Sequence, residues 1–348
     1  MTGADGYDAG PVAALRRIAF LLERAREDTY KVKAFRGAAA VILPMDPAEV
    51  ARAVGDGTLT QLPGIGASSA KVIAAAVRGE LPERLAALEA EHAGPLTDGG
   101  GDVRSRIRGD LHSHSDWSDG GSPIEEMAMT AIELGHDYLV LTDHSPRLTV
   151  ARGLSAERLV RQLDVVDAVN AHLHGMGGFT LLKGIEVDIL DDGGLDQAEG
   201  LLDRLDVRVA SVHSKLKMEK DAMTRRMIGA VRNRHTNVLG HCTGRLVTGG
   251  RGTRGQSRFD GRAVFEACAE HDVAVEINSR PERRDPPTAL LELARDIGCL
   301  FSIDSDAHAP GQLDFQVLGC ERAEDAGIDP DRIVNTWPKE RLLAWAAK

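Results

Sequence analysis

Residues 138–145 read YLVLTDHS: four apolar residues of strand composition run straight into Thr-Asp-His-Ser. Six other peptides repeat this arrangement: GDLHSHS (109–115), LKGIEVD (182–188), VRVASVHS (207–214), VLGHC (238–242), VEINS (275–279) and LFSIDSDAH (300–308). Helical patterns alternate with them. Residues 123–134 form one such unit, closed by Gly135 ahead of the strand at 138, and residues 262–270 precede a strand at 273–277. Repeated strand–helix units predict a parallel sheet, and seven of them across residues 109–348 predict an α/β, TIM-like distorted (β/α)7 barrel whose site lies at the C-terminal strand ends.

Six of the seven strand ends carry groups that bind metal. A hydrophobic core has no use for His at one strand end after another, whereas a multinuclear metal centre does. His112 and His114 stand two apart, so on a strand both imidazoles point to one side and can reach one ion. Asp119 follows in a Ser-Asp-Gly-Gly loop; His144, Glu186, His213 and His241 end the next four runs; Asp306 and His308 repeat the two-residue spacing at the last. These nine ligands exceed what one ion accepts. Three ions with bridging carboxylates would use them all, and mixed imidazole–carboxylate donors suit manganese, zinc or iron. Clustered divalent ions activate water and clamp phosphate oxygens, so the chemistry implied is phosphoester hydrolysis. The other six histidines, His92, His136, His172, His174, His235 and His271, are expected to be solvated or capping. Glu276 is expected to be structural or to stand behind a ligand. Lys215, Lys217, Arg245, Arg280, Arg283 and Arg284 follow strand-end motifs, as do the arginines of GGRGTRGQSR (249–258). Of these, Arg245 and Arg280 are the candidates for orienting substrate.

The bulk composition fits an ordinary globular chain: 348 residues, 43% hydrophobic and 27% charged. There is no signal-peptide pattern at the N-terminus and no apolar run of membrane-spanning length, so a cytoplasmic protein is expected. Four cysteines without CxxC spacing, Cys242, Cys268, Cys299 and Cys320, argue against a disulfide framework or a zinc ribbon. The net charge of −11 argues against a protein that coats nucleic acid, and residues 1–95 hold only −1 of it.

Residues 11–93 read as helical, with helices expected at 12–25, 30–43, 47–54 and 67–78, the last opened by Leu62-Pro63-Gly64-Ile65-Gly66 and ended by Gly79. Residues 96–108, with Gly99-Gly100-Gly101, read as a linker. The domains expected are therefore 1–95, 96–108 as linker, and 109–348.

The motifs HxH, TDHS, GIEVDI, SVHS, GHxTGRL, EINS and DSDAH, in this order, resemble the PHP (polymerase and histidinol phosphatase) family, most of all the PHP domain at the C-terminus of bacterial family X DNA polymerases. The likeness runs from Asp110 to about Trp345 and includes Gln312-Leu313-Asp314-Phe315. It implies that His112, His114, Glu186 and Asp306 hold one ion, Glu186, His213 and His241 a second, and Asp119, His144 and His308 a third. His112, His114, Glu186, Asp306 and His308, with Arg245 and Arg280, are then the catalytic candidates. Cys242 departs from the family, which usually shows Pro there; its plain reading is a small buried residue.

Residues 62–66 resemble a helix-hairpin-helix hairpin, whose glycines let backbone amides approach a DNA phosphate without reading sequence. TYKVKAFRGAAA (29–40) resembles the matching helix of family X polymerases. Leu62, Gly64, Ile65, Gly66 and Lys71 are the DNA-binding candidates. The lyase lysine of the eukaryotic repair member falls on Val72, with Lys71 beside it, so imine chemistry loses its expected nucleophile. A nucleotidyltransferase domain, which the polymerases carry between these parts, has no place in the short linker.

The expectation is a metal-dependent phosphoesterase acting on DNA ends, as a 3′-exonuclease or 3′-phosphoesterase, with DNA as partner through the N-terminal domain and the active-site cleft. A small-molecule phosphatase of the histidinol-phosphate type and a non-catalytic DNA adaptor are the alternatives.

Overall fold

The computed structural model describes residues 7–173, 178–250 and 252–347. The chain divides into two compact units, Met1–Pro95 and Leu96–Lys348.

The first unit is all helical: α1 Gly10–Arg24, α2 Thr29–Ile42, α3 Pro47–Gly55, α4 Ala67–Val77 and α5 Glu83–His92. Local chemistry sets its starts. The carboxylates of Asp28 and Asp46 accept from Tyr30 N and Ala48 N at the openings of α2 and α3. Its core gathers Leu15, Ile18, Leu22, Phe35, Ile42, Ile73 and Leu88. The hairpin before α4 turns through Gly64 at φ +90°, where a Cβ would stand 3.2 Å from Val41 Cγ2. Ser69 Oγ accepts from Gly66 N and closes the N-terminus of α4.

The second unit holds seven strands: β1 Gly109–Ser113, β2 Tyr138–Leu141, β3 Thr180–Asp188, β4 Val207–Ser211, β5 Val238–Leu239, β6 Ala274–Asn278 and β7 Leu300–Asp304. They pair in chain order, all parallel. Ser113 bridges to Ala307, and His114 N donates to Ala307 O at 2.8 Å, which brings the two outer strands nearly to closure. Helices α7 Ile124–Glu133, α8 Ala156–Leu173, α10 Lys220–Val231, α11 Gly261–Glu270 and α12 Thr288–Ile297 connect the strands, with the short α9 Glu199–Leu202 ahead of β4, and α13 Gln316–Asp325 follows β7. The strands are buried almost throughout, as expected where helices cover a parallel sheet.

The far end of the barrel is sealed by the last residues. Tyr138 Oη donates to the carbonyls of Asn335 and Trp337, Asn335 Nδ2 donates to Gly109 O and Ile303 O, and Arg208 and Asn237 both reach Ala346 O in α14 Lys339–Ala346. With this floor packed by side chains, the opposite rim is where chemistry is available.

Residues 96–108 differ from the linker expected. Gly101–Arg104 forms a short helix, α6, and Glu324 of α13 accepts from Gly100 N at 2.9 Å and Val103 N at 2.8 Å. Val103 and Ile107 are buried in the barrel core. The glycines that read as flexibility serve close approach instead: a Cβ on Gly100, at φ +81°, would lie 2.5 Å from Glu321 N.

Candidate metal centre

The C-terminal strand ends bring the nine sequence-derived residues into one cluster. Glu186, on β3, lies at its middle. His112 Nε2 is 3.3 Å and His114 Nε2 3.5 Å from Glu186 Oε2, with His144 Nδ1 2.9 Å from the same oxygen. His213 Nε2 and His241 Nε2 approach Oε1 at 3.2 and 2.8 Å. Asp306 Oδ1 stands 3.4 Å from His114 Nε2, and Asp119 Oδ1 is 3.3 Å from both His144 Nε2 and His308 Nε2. The rings of His112 and His114 are 5.1 Å apart, as their spacing along the strand implies. Three groups have ligand atoms mutually within 4.8 Å: His114, Asp119, His144 and His308; His112, His114 and Asp306; His144, Glu186 and His213.

The donor set fits divalent ions. Nε2 of His112, both ring nitrogens of His114, Nδ1 of His144, Nε2 of His213, Nδ1 of His241 and Oε2 of Glu186 are all buried without a hydrogen-bond partner. Buried polar atoms are rarely left unpaired, and of these Nε2 of His112, His114 and His213 and Nδ1 of His144 all lie within 3.5 Å of a Glu186 carboxylate oxygen.

Charge and burial set the proton affinities within the cluster. Burial alone would depress His112, but Glu186, Glu276 and Asp306 carry it well above its usual value. His144 overcomes burial in the same way, beside Glu186 and Asp119, and is pushed up to about 10. His114 goes the other way, held well below the usual range by burial and by His308 and His144. The Glu186 carboxyl lies well below the ordinary range despite burial, because His112, His213 and His144 surround it.

A layer of side chains behind the nine residues orients them. Glu276 Oε1 lies 2.5 Å from His112 Nδ1, its other oxygen accepts from His241 N, and Asn278 Nδ2 reaches Asp306 Oδ2 at 3.1 Å. Asp188 takes the same position behind His213 Nδ1. Asp143 accepts from Ser115 N, Ser115 Oγ, Ser118 Oγ and Gln162 Nε2, and so fixes the loop that carries Asp119. Asp188 and Asp143 were not singled out from sequence, although Asp188 stands two residues beyond Glu186 on β3, a strand spacing that draws attention to it, and Asp143 adjoins His144.

The arginines divide. Arg280 Nη1 lies 2.8 Å from His308 Nδ1 and 3.1 Å from Asp306 O, and Arg283 Nε is 3.1 Å from Asp306 Oδ2. Arg245 does not face the cluster in this way: its guanidinium donates to the carbonyls of Arg283 and Arg284 and ties down the loop that carries them. Lys215 pairs with Asp191 at the surface, and Lys217 is exposed. Cys242 is buried, with Sγ 3.8 Å from Asp285 Oδ1, and belongs to none of the three groups.

Two histidines expected at the surface are buried instead. His136 is 5% exposed and His235 2%, the latter with Nε2 3.0 Å from Asp203 Oδ1. His172 is exposed near the end of α8; His174, like Arg251, lies outside the described residues. In the helical unit, Ile65 is buried in the core and Leu62 packs against it, so both side chains anchor the hairpin rather than present a surface. Gly64, Gly66 and Lys71 are exposed, whereas Val72 is 2% exposed.

Residues 110–280 match the PHP domain family and residues 9–80 a helix-hairpin-helix domain. The DNA polymerase/3'-5' exonuclease PolX of Bacillus subtilis is 37% identical over 230 residues, 66% of this chain but only 39% of that protein. A "probable phosphatase" of Pectobacterium carotovorum subsp. carotovorum is 30% identical over 178 residues, 47% of this chain and 67% of its own. A "probable phosphatase" of Thermoanaerobacter pseudethanolicus is 28% identical over 242 residues, 65% of this chain and 89% of its own. The chain belongs to the PHP family.

Proposed function

We propose that the protein is a metal-dependent phosphoesterase acting on DNA ends, as a 3′-exonuclease or 3′-phosphoesterase in DNA repair. The observation that carries this reading is the presence, in one chain, of the Glu186-centred cluster and a helix-hairpin-helix unit. The name of the B. subtilis relative supports it. The cluster would hold three ions, manganese, zinc or iron: one on His112, His114, Glu186 and Asp306, one on Glu186, His213 and His241, and one on Asp119, His144 and His308. When bound, such ions supply Lewis acidity toward phosphoryl oxygens and lower the pKa of water.

The protein's own groups do the rest. Glu276 and Asp188 fix the ring orientation of His112 and His213, leaving each Nε2 directed into the cluster. Arg283 places its Nε 3.1 Å from Asp306 Oδ2, and its buried Nη1 has no hydrogen-bond partner. With Arg280 it would clamp two oxygens of a phosphate. Arg245 holds the loop from which both project. Gly64, Gly66 and Lys71 would engage the DNA backbone in the helical unit.

A second reading, a small-molecule phosphatase, is favoured by one observation: relatives named "probable phosphatase" align over 89% of their length without needing the helical unit. The test is to incubate the manganese-loaded protein with end-labelled DNA bearing 3′-hydroxyl or 3′-phosphate termini, alongside histidinol phosphate. Hydrolysis of the DNA termini supports the first reading; hydrolysis of the small ester alone replaces it with the second.

A further inference from the structure

The largest fully buried side chain of the described residues is that of Arg226, on α10. A buried guanidinium ordinarily sits against a carboxylate, because removing the charge from water is costly. Here the nearest carboxylate oxygen, Asp191 Oδ1, is 3.8 Å away, and Asp191 is also engaged by Lys215. The donors go to carbonyls instead. Arg226 Nε donates to Ile189 O at 3.1 Å and Leu190 O at 3.0 Å, Nη1 donates to Ser214 O at 2.9 Å, and Nη2 reaches Ile189 O and Ser214 Oγ. Ile189 follows Asp188, and Ser214 follows His213. One side chain therefore grips the backbone directly beyond both members of the Asp188–His213 pair, from two separate strands. The packing makes room for this reach: Gly193 and Gly229 lie backbone against backbone, and a Cβ on Gly193 would stand 2.8 Å from Arg226 O. The other side of β3 is held by Ser145, whose Oγ accepts from Asp188 N and whose N donates to Glu186 O.

We infer that Arg226 is a positioning residue for the metal centre: it sets the separation of the β3 and β4 ends, and with it the approach of His213 to Glu186. The inference rests on the reading of the cluster as a metal site. Losing Arg226 would disturb the ion that Glu186, His213 and His241 would hold more than the one that His112, His114, Glu186 and Asp306 would hold, whose supports are Glu276 and Asn278.

The test is to compare wild type, Arg226→Lys and Arg226→Met as full-length chains. Lys keeps the charge but cannot bridge two carbonyl sets, and Met keeps bulk without donors. Circular dichroism reports whether each barrel forms. Titration with cobalt(II), followed by its visible absorption, then reads binding without any activity assay. The expected result is that one class of cobalt sites weakens by about 10–100-fold, the range for groups that stand behind ligands, with an altered absorption band, while the remaining sites bind as in the wild type. Arg226→Lys is expected to show this even where Arg226→Met fails to fold. Wild-type affinity and spectrum in a folded Lys variant would overturn the proposal. A wild type that binds no cobalt would overturn the metal-site reading and this inference with it.

Discussion

Glu186 has the most demanding position in the molecule, since five imidazoles approach one buried carboxylate. The surrounding carboxylates favour a bound proton on several of those rings: His112 and His213 are raised, and His144 is pushed up to about 10. Ion binding must displace those protons, so affinity should rise with pH. Calorimetric titration with manganese at pH 7.5, in two buffers of different ionisation heat, should reveal net proton release; identical apparent heats in both would contradict it. His136 sets a different pH dependence. Burial, with the Arg104 charge adding to it, lowers this histidine to about 3, below its unfolded value. The unfolded chain therefore binds a proton between about pH 6.5 and 3 that the folded chain does not, and stability is lost as pH falls through that window. The loss approaches ~1.4 kcal/mol per pH unit. All three tryptophans, Trp117, Trp337 and Trp345, lie in the barrel unit, so their fluorescence follows that unit alone. Urea midpoints of His136→Leu should fall less steeply than wild type between pH 6.5 and 4.5; parallel lines would refute the assignment.

At the scale of elements, the strands were legible in the sequence because each apolar run ends in polar, metal-competent residues, which fixes both its face and its end. Residues 138–141 were bounded correctly for that reason. The clustering of the nine residues was legible because each stands at or just beyond the end of an apolar run, where the strands of a parallel barrel converge. Three features were not, and each depends on long-range contacts that no local pattern carries. The glycines at 99–101 read as a linker, but the missing side chains of Gly99 and Gly100 let the segment lie against α13, where Glu324 receives two backbone amides. Glu324→Ala leaves those amides unpaired, and the tryptophan-monitored barrel should lose ~1–3 kcal/mol; an unchanged urea midpoint would show the segment to be loosely attached. Ile65 read as part of a DNA-facing motif and instead fills the helical core. Arg245 read as a substrate ligand, yet its partners are carbonyls nearly forty residues away, at 283 and 284. The hairpin makes its own prediction. Gly64→Val places a Cβ at φ +90° and crowds Val41, at a cost of ~1–2 kcal/mol for the left-handed conformation alone. DNA affinity should fall in a binding assay, with the metal content of the protein unchanged.

For the whole molecule, the chain of net charge −11 carries a helix-hairpin-helix unit and a PHP barrel, for which DNA binding and hydrolysis are proposed. Binding through a few phosphate contacts should weaken with salt, and Lys71→Glu should lower the dependence of log affinity on log salt by about one while weakening all DNA sequences alike. The measurement that tests the central claim most directly pairs hydrolysis with binding, using end-labelled DNA and manganese-loaded wild type or His112→Ala. The account predicts that wild type processes the 3′ termini and stops when a chelator is added, whereas His112→Ala binds the same DNA equally well and hydrolyses it at least ~10–100-fold more slowly. Intact DNA termini under conditions where the same preparation hydrolyses histidinol phosphate would contradict it.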